Sequence, residues 1–244
     1  MRSRSLYASN LVLGVIVFVL LGAGGCASVD VTDRQEYQGP KLARPDRIVI
    51  YDFAATPEDL PSWSAGANAY AGSDVTPSAQ NLELGRRLGA EVAKELVSRI
   101  DAMGLPAERA GARAEPQAGE IAIVGYFVSM NKGSTAERLA IGFGEGGAQL
   151  SARVEGYQST ADGMRQLGAG TASSNAGKSP GLIAPLAVTV ATANPIGLIV
   201  GSAVKAEGEV SGRDTIEGSA KRLADTIASE LEMKFQEQGW IDGM

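Results

Sequence analysis

The chain has 244 residues, with 22 Lys and Arg against 28 Asp and Glu and a formal net charge of −6. That length suffices for one sizeable core, and the acidic balance argues against nucleic acid or anionic headgroups as partners. Histidine is absent and cysteine occurs once, which removes Ser-His-Asp and Cys-His catalysis, His-ligated zinc and pH sensing by imidazole.

Residues 1–25 read as a secretory signal. Arg2 and Arg4 precede the nearly all-aliphatic run Leu11–Leu21, and Ala23-Gly24-Gly25 lead to Cys26. The run is too short for a spanning helix, which wants about 20 apolar residues, and suits a signal core of roughly 7–15. A cysteine directly after small residues makes the segment resemble a bacterial lipoprotein signal, although Ala23 stands where Leu is usual. Cys26 is then the acylated first residue of the mature chain, and the lipid bilayer is a partner through it. Two or more acyl chains hold firmly, at about 0.8 kcal/mol per buried CH₂, where one does not. Cleavage leaves 244 − 25 = 219 residues with 20 basic and 28 acidic side chains, a charge near −8.

Residues 26–46 are polar, carry Gly39-Pro40 and Pro45, show no period, and are expected to be a lipidated tether. The domain proper is expected over 47–244. It opens with Arg47-Ile48-Val49-Ile50-Tyr51-Asp52-Phe53, a short β-branched run that predicts a buried strand. The Ala-, Pro-, Ser- and Gly-rich stretch 54–77 reads as a long loop. Trp63 and Tyr70 in it either pin the loop to the core or form a partner contact.

Thr76-Pro77 is expected to open a helix, with Pro in the first helical position. Leu84, Leu88, Val92, Leu96 and Ile100 form its apolar stripe, and Gly85, Gly89 and Ala93 form a neighbouring stripe that permits close approach. Met103-Gly104-Leu105-Pro106 should end it. Glu120–Met130 predicts a central strand with a bulge at Gly125. Gln149–Gln158 and Met164–Ser173 predict a hairpin around Asp162-Gly163, with a slightly long loop. Asp214 and Glu217 are expected to cap a last helix whose stripe is Ile216, Ala220, Leu223, Ile227, Leu231 and Phe235, stopped by Gly239. This order predicts a single α/β domain, a mixed sheet flanked by two long amphipathic helices.

Three stretches invite functional readings. Ala172–Ser179 satisfies a loose phosphate-loop pattern, but Ala replaces the first Gly and Pro180-Gly181 follows where a helix should continue. The glycine run Gly142–Gly147 looks like a phosphate cradle, but Glu145 inside it would repel an anion. The run reads first as a flexible hairpin approach whose glycines allow positive φ, with Phe143 and Glu145 in it as candidate partner contacts. Ser179–Val204 carries no charge for 26 residues between Lys178 and Lys205. This apolar insert, 179–204, is buried in the domain or an oligomer, enters a membrane as a hairpin, or enters it as a helix broken by Pro180, Pro185 and Pro195.

The chain resembles a bacterial lipoprotein family known as domain-of-unknown-function family 4410. The resemblance rests on Ile48-Val49-Ile50-Tyr51-Asp52-Phe53, on Leu139-Ala140-Ile141-Gly142-Phe143-Gly144, and on the apolar then Gly-rich segment before the last helix. It implies no activity and no catalytic residues. A more distant likeness is to the curli secretion channel lipoprotein and to the amino-terminal domain of the Tol translocation protein. Ala27, after the cysteine, resembles the outer-membrane class of lipoproteins. The expectation is a non-catalytic outer-membrane lipoprotein facing the periplasm, with no cofactor, no metal and no nucleic acid, and with a protein partner. The alternatives are a homo-oligomeric pore or secretion subunit that inserts residues 179–204, and a hydrolase using Asp52, Glu145 or Ser-Lys chemistry.

Overall fold

A computed structural model describes residues 31–70, 78–112, 114–131, 149–174 and 215–243. Their strands are β1 (Val31–Glu36), β2 (Ile48–Tyr51), β3 (Ala107–Ala110), β4 (Ile121–Asn131), β5 (Gln149–Thr160) and β6 (Gly163–Ser174). Their α-helices are α1 (Ala65–Tyr70), α2 (Ala79–Ala102) and α3 (Ile216–Gln238). The strands form one mixed sheet in the order β1-β6-β5-β4-β2-β3. β2 runs parallel to both β3 and β4, and the β4–β5, β5–β6 and β6–β1 pairs are antiparallel.

Side chains alternate across a strand, and β2 feeds two layers. Ile48 and Ile50 face the long helices, packing with Phe53, Ile121, Ile123 and Phe127 against Leu88, Val92, Leu96 and Ile100 of α2 and Ala220, Leu223 and Ile227 of α3. Val49 and Tyr51 face the other way, with Ala122, Val124, Tyr126 and Tyr157, under Leu60 and Trp63. Each fully buried aliphatic side chain of the α2 stripe stabilises the first layer by about 1.5–3 kcal/mol. The expected mixed sheet with two long helices is thus the architecture found.

Both long helices stop through a left-handed residue. Gly104 has φ +83°, and the Leu105 N–H returns to the Ile100 carbonyl at 3.3 Å. Gly239 has φ +77°, and the Trp240 N–H returns to the Phe235 carbonyl at 2.9 Å. Such a conformation suits glycine.

Local details differ from the sequence expectations. Residues 31–36, expected in the tether, form the edge strand β1, whose side chains are mostly exposed. Edge strands tolerate charge on both faces, so no apolar alternation marks this one. The expected loop 54–77 contains a 3₁₀ turn, Pro57–Asp59, and α1. The cap of α2 is Ser78, whose hydroxyl accepts from the Asn81 N–H at 3.3 Å. The cap of α3 is Thr215, accepting from the Gly218 N–H at 3.0 Å. Either hydroxyl satisfies a free amide of the first turn, and α2 begins at Ala79 rather than at residue 77. The irregularity in β4 lies between Phe127 and Ser129, not at Gly125. The hairpin is tighter than expected: Thr160 pairs with Gly163, leaving Ala161 and Asp162 between them. The Thr160 hydroxyl donates to the Gly163 carbonyl at 2.7 Å, and Gly163 has φ +118°.

Candidate functional site

The segment after β2 is fastened over the second face of the sheet. The Ala54 N–H donates to the Gly125 carbonyl at 2.8 Å, and the Phe127 N–H donates to the Ala54 carbonyl at 3.1 Å. Asp59 accepts from the Thr56 N–H and hydroxyl, closing the 3₁₀ turn. Its carboxylate also takes a two-pronged contact from Arg86 of α2, with the shortest N···O at 2.7 Å. A fork of this kind fixes direction as well as distance.

So held, the segment lowers Trp63 between two tyrosines. Its ring lies edge-on to Tyr51 at 5.6 Å and 79°, and edge-on to Tyr157 at 5.0 Å and 76°. Such pairs add about 0.5–1.5 kcal/mol each beyond the area they bury. Trp63 is half-buried, so it both pins the segment and keeps part of its ring open.

Beneath it lies a carboxylate that the sequence reading did not single out. Glu155 of β5 is only 2% exposed. The Tyr157 hydroxyl donates to its Oε2 at 2.7 Å, and the Gly66 N–H approaches the same oxygen at 3.4 Å. The Tyr157 oxygen in turn accepts from the Ala65 N–H at 2.8 Å. Among the described residues no Lys or Arg forms an ion pair with Glu155. Burial, reinforced by the neighbouring carboxylate, pushes the Tyr157 hydroxyl well above its ordinary range. Its phenol therefore stays protonated and donating. The available signal was positional: Glu155 and Tyr157 are two apart, on one face of a strand.

Asp52 sits at the end of β2 and is gripped by both Arg109 Nε and Arg109 Nη2, the latter at 2.8 Å. Glu120 is buried beside Arg47, with N···O of 2.8 Å, and also accepts the Gln117 N–H at 2.8 Å. These carboxylates hold strand ends together. Among the described residues no group of three His, Cys, Asp or Glu is placed to hold a metal ion, and no helix is long and apolar enough to cross a membrane.

The other sequence-derived positions fall elsewhere. Tyr70 ends α1. Cys26 with the signal 1–25, Phe143, Glu145 and their glycine run, residues 175–179 of the phosphate-loop pattern, and the insert 179–204 lie outside the described residues.

Residues 48–193 match the family model described as "Domain of unknown function (DUF4410)". Among solved structures, the chain is similar to a PelC dodecamer from Paraburkholderia phytofirmans, at 15% identity and TM-score 0.35, over 61% of this chain and 85% of that one. A PelC variant dodecamer from the same organism gives 16% identity and TM-score 0.35 over 63% and 84%. No curated protein matches.

Proposed function

The chain belongs to the family described as domain of unknown function DUF4410, and from that premise we propose that it is a non-catalytic lipoprotein of the cell envelope. Acylated Cys26 holds it in the outer membrane, and the α/β domain faces the periplasm and receives a protein partner. The observation that carries this reading is the position of Cys26, directly after Ala23-Gly24-Gly25 and shortly after an eleven-residue apolar run, Leu11–Leu21. An odd cysteine in an exported chain has no internal disulfide partner, and acylation accounts for it.

The carboxylates support the non-catalytic part. Asp52 is committed to Arg109, and Glu155 to Tyr157 and the start of α1. Both carboxylates have partners within the fold, the ordinary state of a structural carboxylate. The half-buried Trp63, on the segment laid over the sheet, is the described position best suited to meet a partner.

The test is mass spectrometry of the amino-terminal peptide from protein made in its native host. The expected peptide begins at Cys26 and carries fatty acyl groups, and an alkyne-tagged fatty acid labels the chain but not its Cys26→Ala variant. A peptide retaining residues 1–25 with a free thiol would overturn the reading.

The uncharged run Ser179–Val204 favours a second reading, a pore or secretion subunit that inserts this segment. In that case the Cys26→Ala chain, exported with a substitute cleaved signal, stays in the membrane pellet after alkaline carbonate extraction. The lipid-anchored reading expects it in the supernatant.

A further inference from the structure

A cavity of about 230 Å³ lies between β6 and α3, lined by apolar side chains that include Leu167, Ile227, Leu231, Phe235 and Trp240. Its origin is a constraint on β6. A β-carbon at Gly168 would lie 2.6 Å from the Gln35 carbonyl oxygen, and one at Gly170 would lie 3.0 Å from Val31 Cγ1. The β1 backbone thus excludes a side chain at Gly168, and Val31 leaves little room for one at Gly170, so the wall opposite α3 stays bare. Across the rim, β1 is tied to α3 by Arg34–Glu230 at 2.8 Å and Glu36–Lys234 at 2.9 Å, and Lys234 also meets Glu237 at 3.1 Å.

We propose that this cavity binds one acyl or alkyl chain whose head carries no net charge. An engineered apolar cavity of about 150 Å³ takes benzene, so this larger one, open to solvent on one side and walled mainly by apolar side chains, has room for a hydrocarbon chain. The rim sets the head. Its two cations, Arg34 and Lys234, are both engaged, and three carboxylates (Glu36, Glu230 and Glu237) outnumber them. A fatty-acid carboxylate would add a further negative charge to a rim that is already net negative, whereas a neutral head meets no such repulsion. A membrane lipid or the acyl group of Cys26 itself could supply the chain.

The test uses the exported mature chain with Cys26→Ala, which has no acyl group of its own, and reads Trp240 fluorescence. Trp63→Phe leaves Trp240 as the single tryptophan. Decanol brominated at its terminal carbon should quench Trp240 saturably, and the equally brominated decanoate should bind more weakly, by about threefold or more at low salt. Leu231→Phe from the helix side and Leu167→Phe from the strand side each put a rigid ring into the space and narrow it from opposite walls. The double variant, shown folded by circular dichroism, should lose most of the quenching. Non-saturable quenching, undiminished quenching in the folded double variant, or decanoate binding as tightly as decanol would overturn the proposal. The alcohol-to-acid ratio reads the unfilled protein, so the test survives a filler that does not fold. Protein carrying native Cys26, extracted in cholate, separates the sources. Quenching retained there points to a membrane lipid, quenching lost only there points to the chain's own acyl group, and its absence from both forms sinks the site.

Discussion

Gly89 of α2 and Phe53 after β2 meet backbone to backbone. The Phe53 N–H donates to the Gly89 carbonyl at 3.3 Å, and a β-carbon on Gly89 would lie 2.0 Å from the Phe53 carbonyl oxygen. The helix can rest on the end of the strand only because residue 89 has no side chain. Gly89→Ala should therefore destabilise, although alanine is the better helix former by about 1 kcal/mol. Neither backbone can swing aside as a flexible side chain could, and overpacking in a dense core costs about 1–3 kcal/mol, occasionally more. The expected result is a lower urea midpoint with an unchanged slope. An unchanged or raised midpoint would show that α2 shifts freely on the sheet.

Phe53 makes a second demand, on Gly125. Its ring lies where a β-carbon at residue 125 would stand, 2.3 Å from the nearest ring carbon. Gly125→Ala is expected to cost about 1–3 kcal/mol. The cause here is one side chain, so Phe53→Leu should relieve part of the strain. A double-mutant cycle would then give a coupling of at least about 0.5 kcal/mol in the relieving direction. Strict additivity would mean that the ring is not what requires the glycine.

These two glycines show how far the sequence could be read. The stripe Gly85, Gly89 and Ala93 announces close approach, and the structure supplies the partner. At Gly125 the sequence suggests a bulge, and the structure finds a ring from a residue 72 positions earlier. The long helices were legible because Leu88, Val92, Leu96 and Ile100 repeat at helical spacing, and the hairpin because Asp162-Gly163 interrupts two strands. β1 was not, because an edge strand with Asp33, Arg34 and Glu36 looks like linker. β3 was not, because Ala107–Ala110 is four residues long and carries Glu108 and Arg109. Trp63 could be singled out by type. Glu155 could not, since its burial is created by a segment about 90 residues away folding over it.

The Glu155–Tyr157 contact gives a prediction about that segment. Tyr157→Phe removes the donor to Glu155 and the acceptor of the Ala65 N–H together. Leaving buried polar groups without partners costs about 1–3 kcal/mol. Glu155→Gln keeps the shape but weakens the acceptor, and should cost less. The two substitutions share one hydrogen bond, so the double variant should fall short of the sum. The effect should also be local: amide exchange in α1 should quicken more than in α2. Uniform acceleration across both helices would show that the contact supports the whole domain rather than this segment.

Alkaline unfolding should proceed through the tyrosines of the same face. Tyr51 is 1% exposed and its hydroxyl donates to the Ala114 carbonyl at 2.5 Å. Burial first, and then the charges of Glu115 and Glu120, push its hydroxyl up to about 12, from an ordinary value of 10.0. The folded state thus favours the protonated phenol. The stabilising contribution is complete below about pH 10 and disappears as pH rises through about 12, because the unfolded chain gives up its proton first. For two pK units at 1.36 kcal/mol each, the loss is on the order of 3 kcal/mol. Tyr157, shifted in the same direction, begins to lose its contribution from the same lower bound. Urea unfolding measured at steps across this range should show stability falling steadily. Tyr51→Phe should be less stable at neutral pH, having lost the Ala114 contact, and should show a shallower fall above pH 10. A parallel fall in the wild type and Tyr51→Phe would mean that Tyr51 ionises as readily in the folded chain as in the unfolded one.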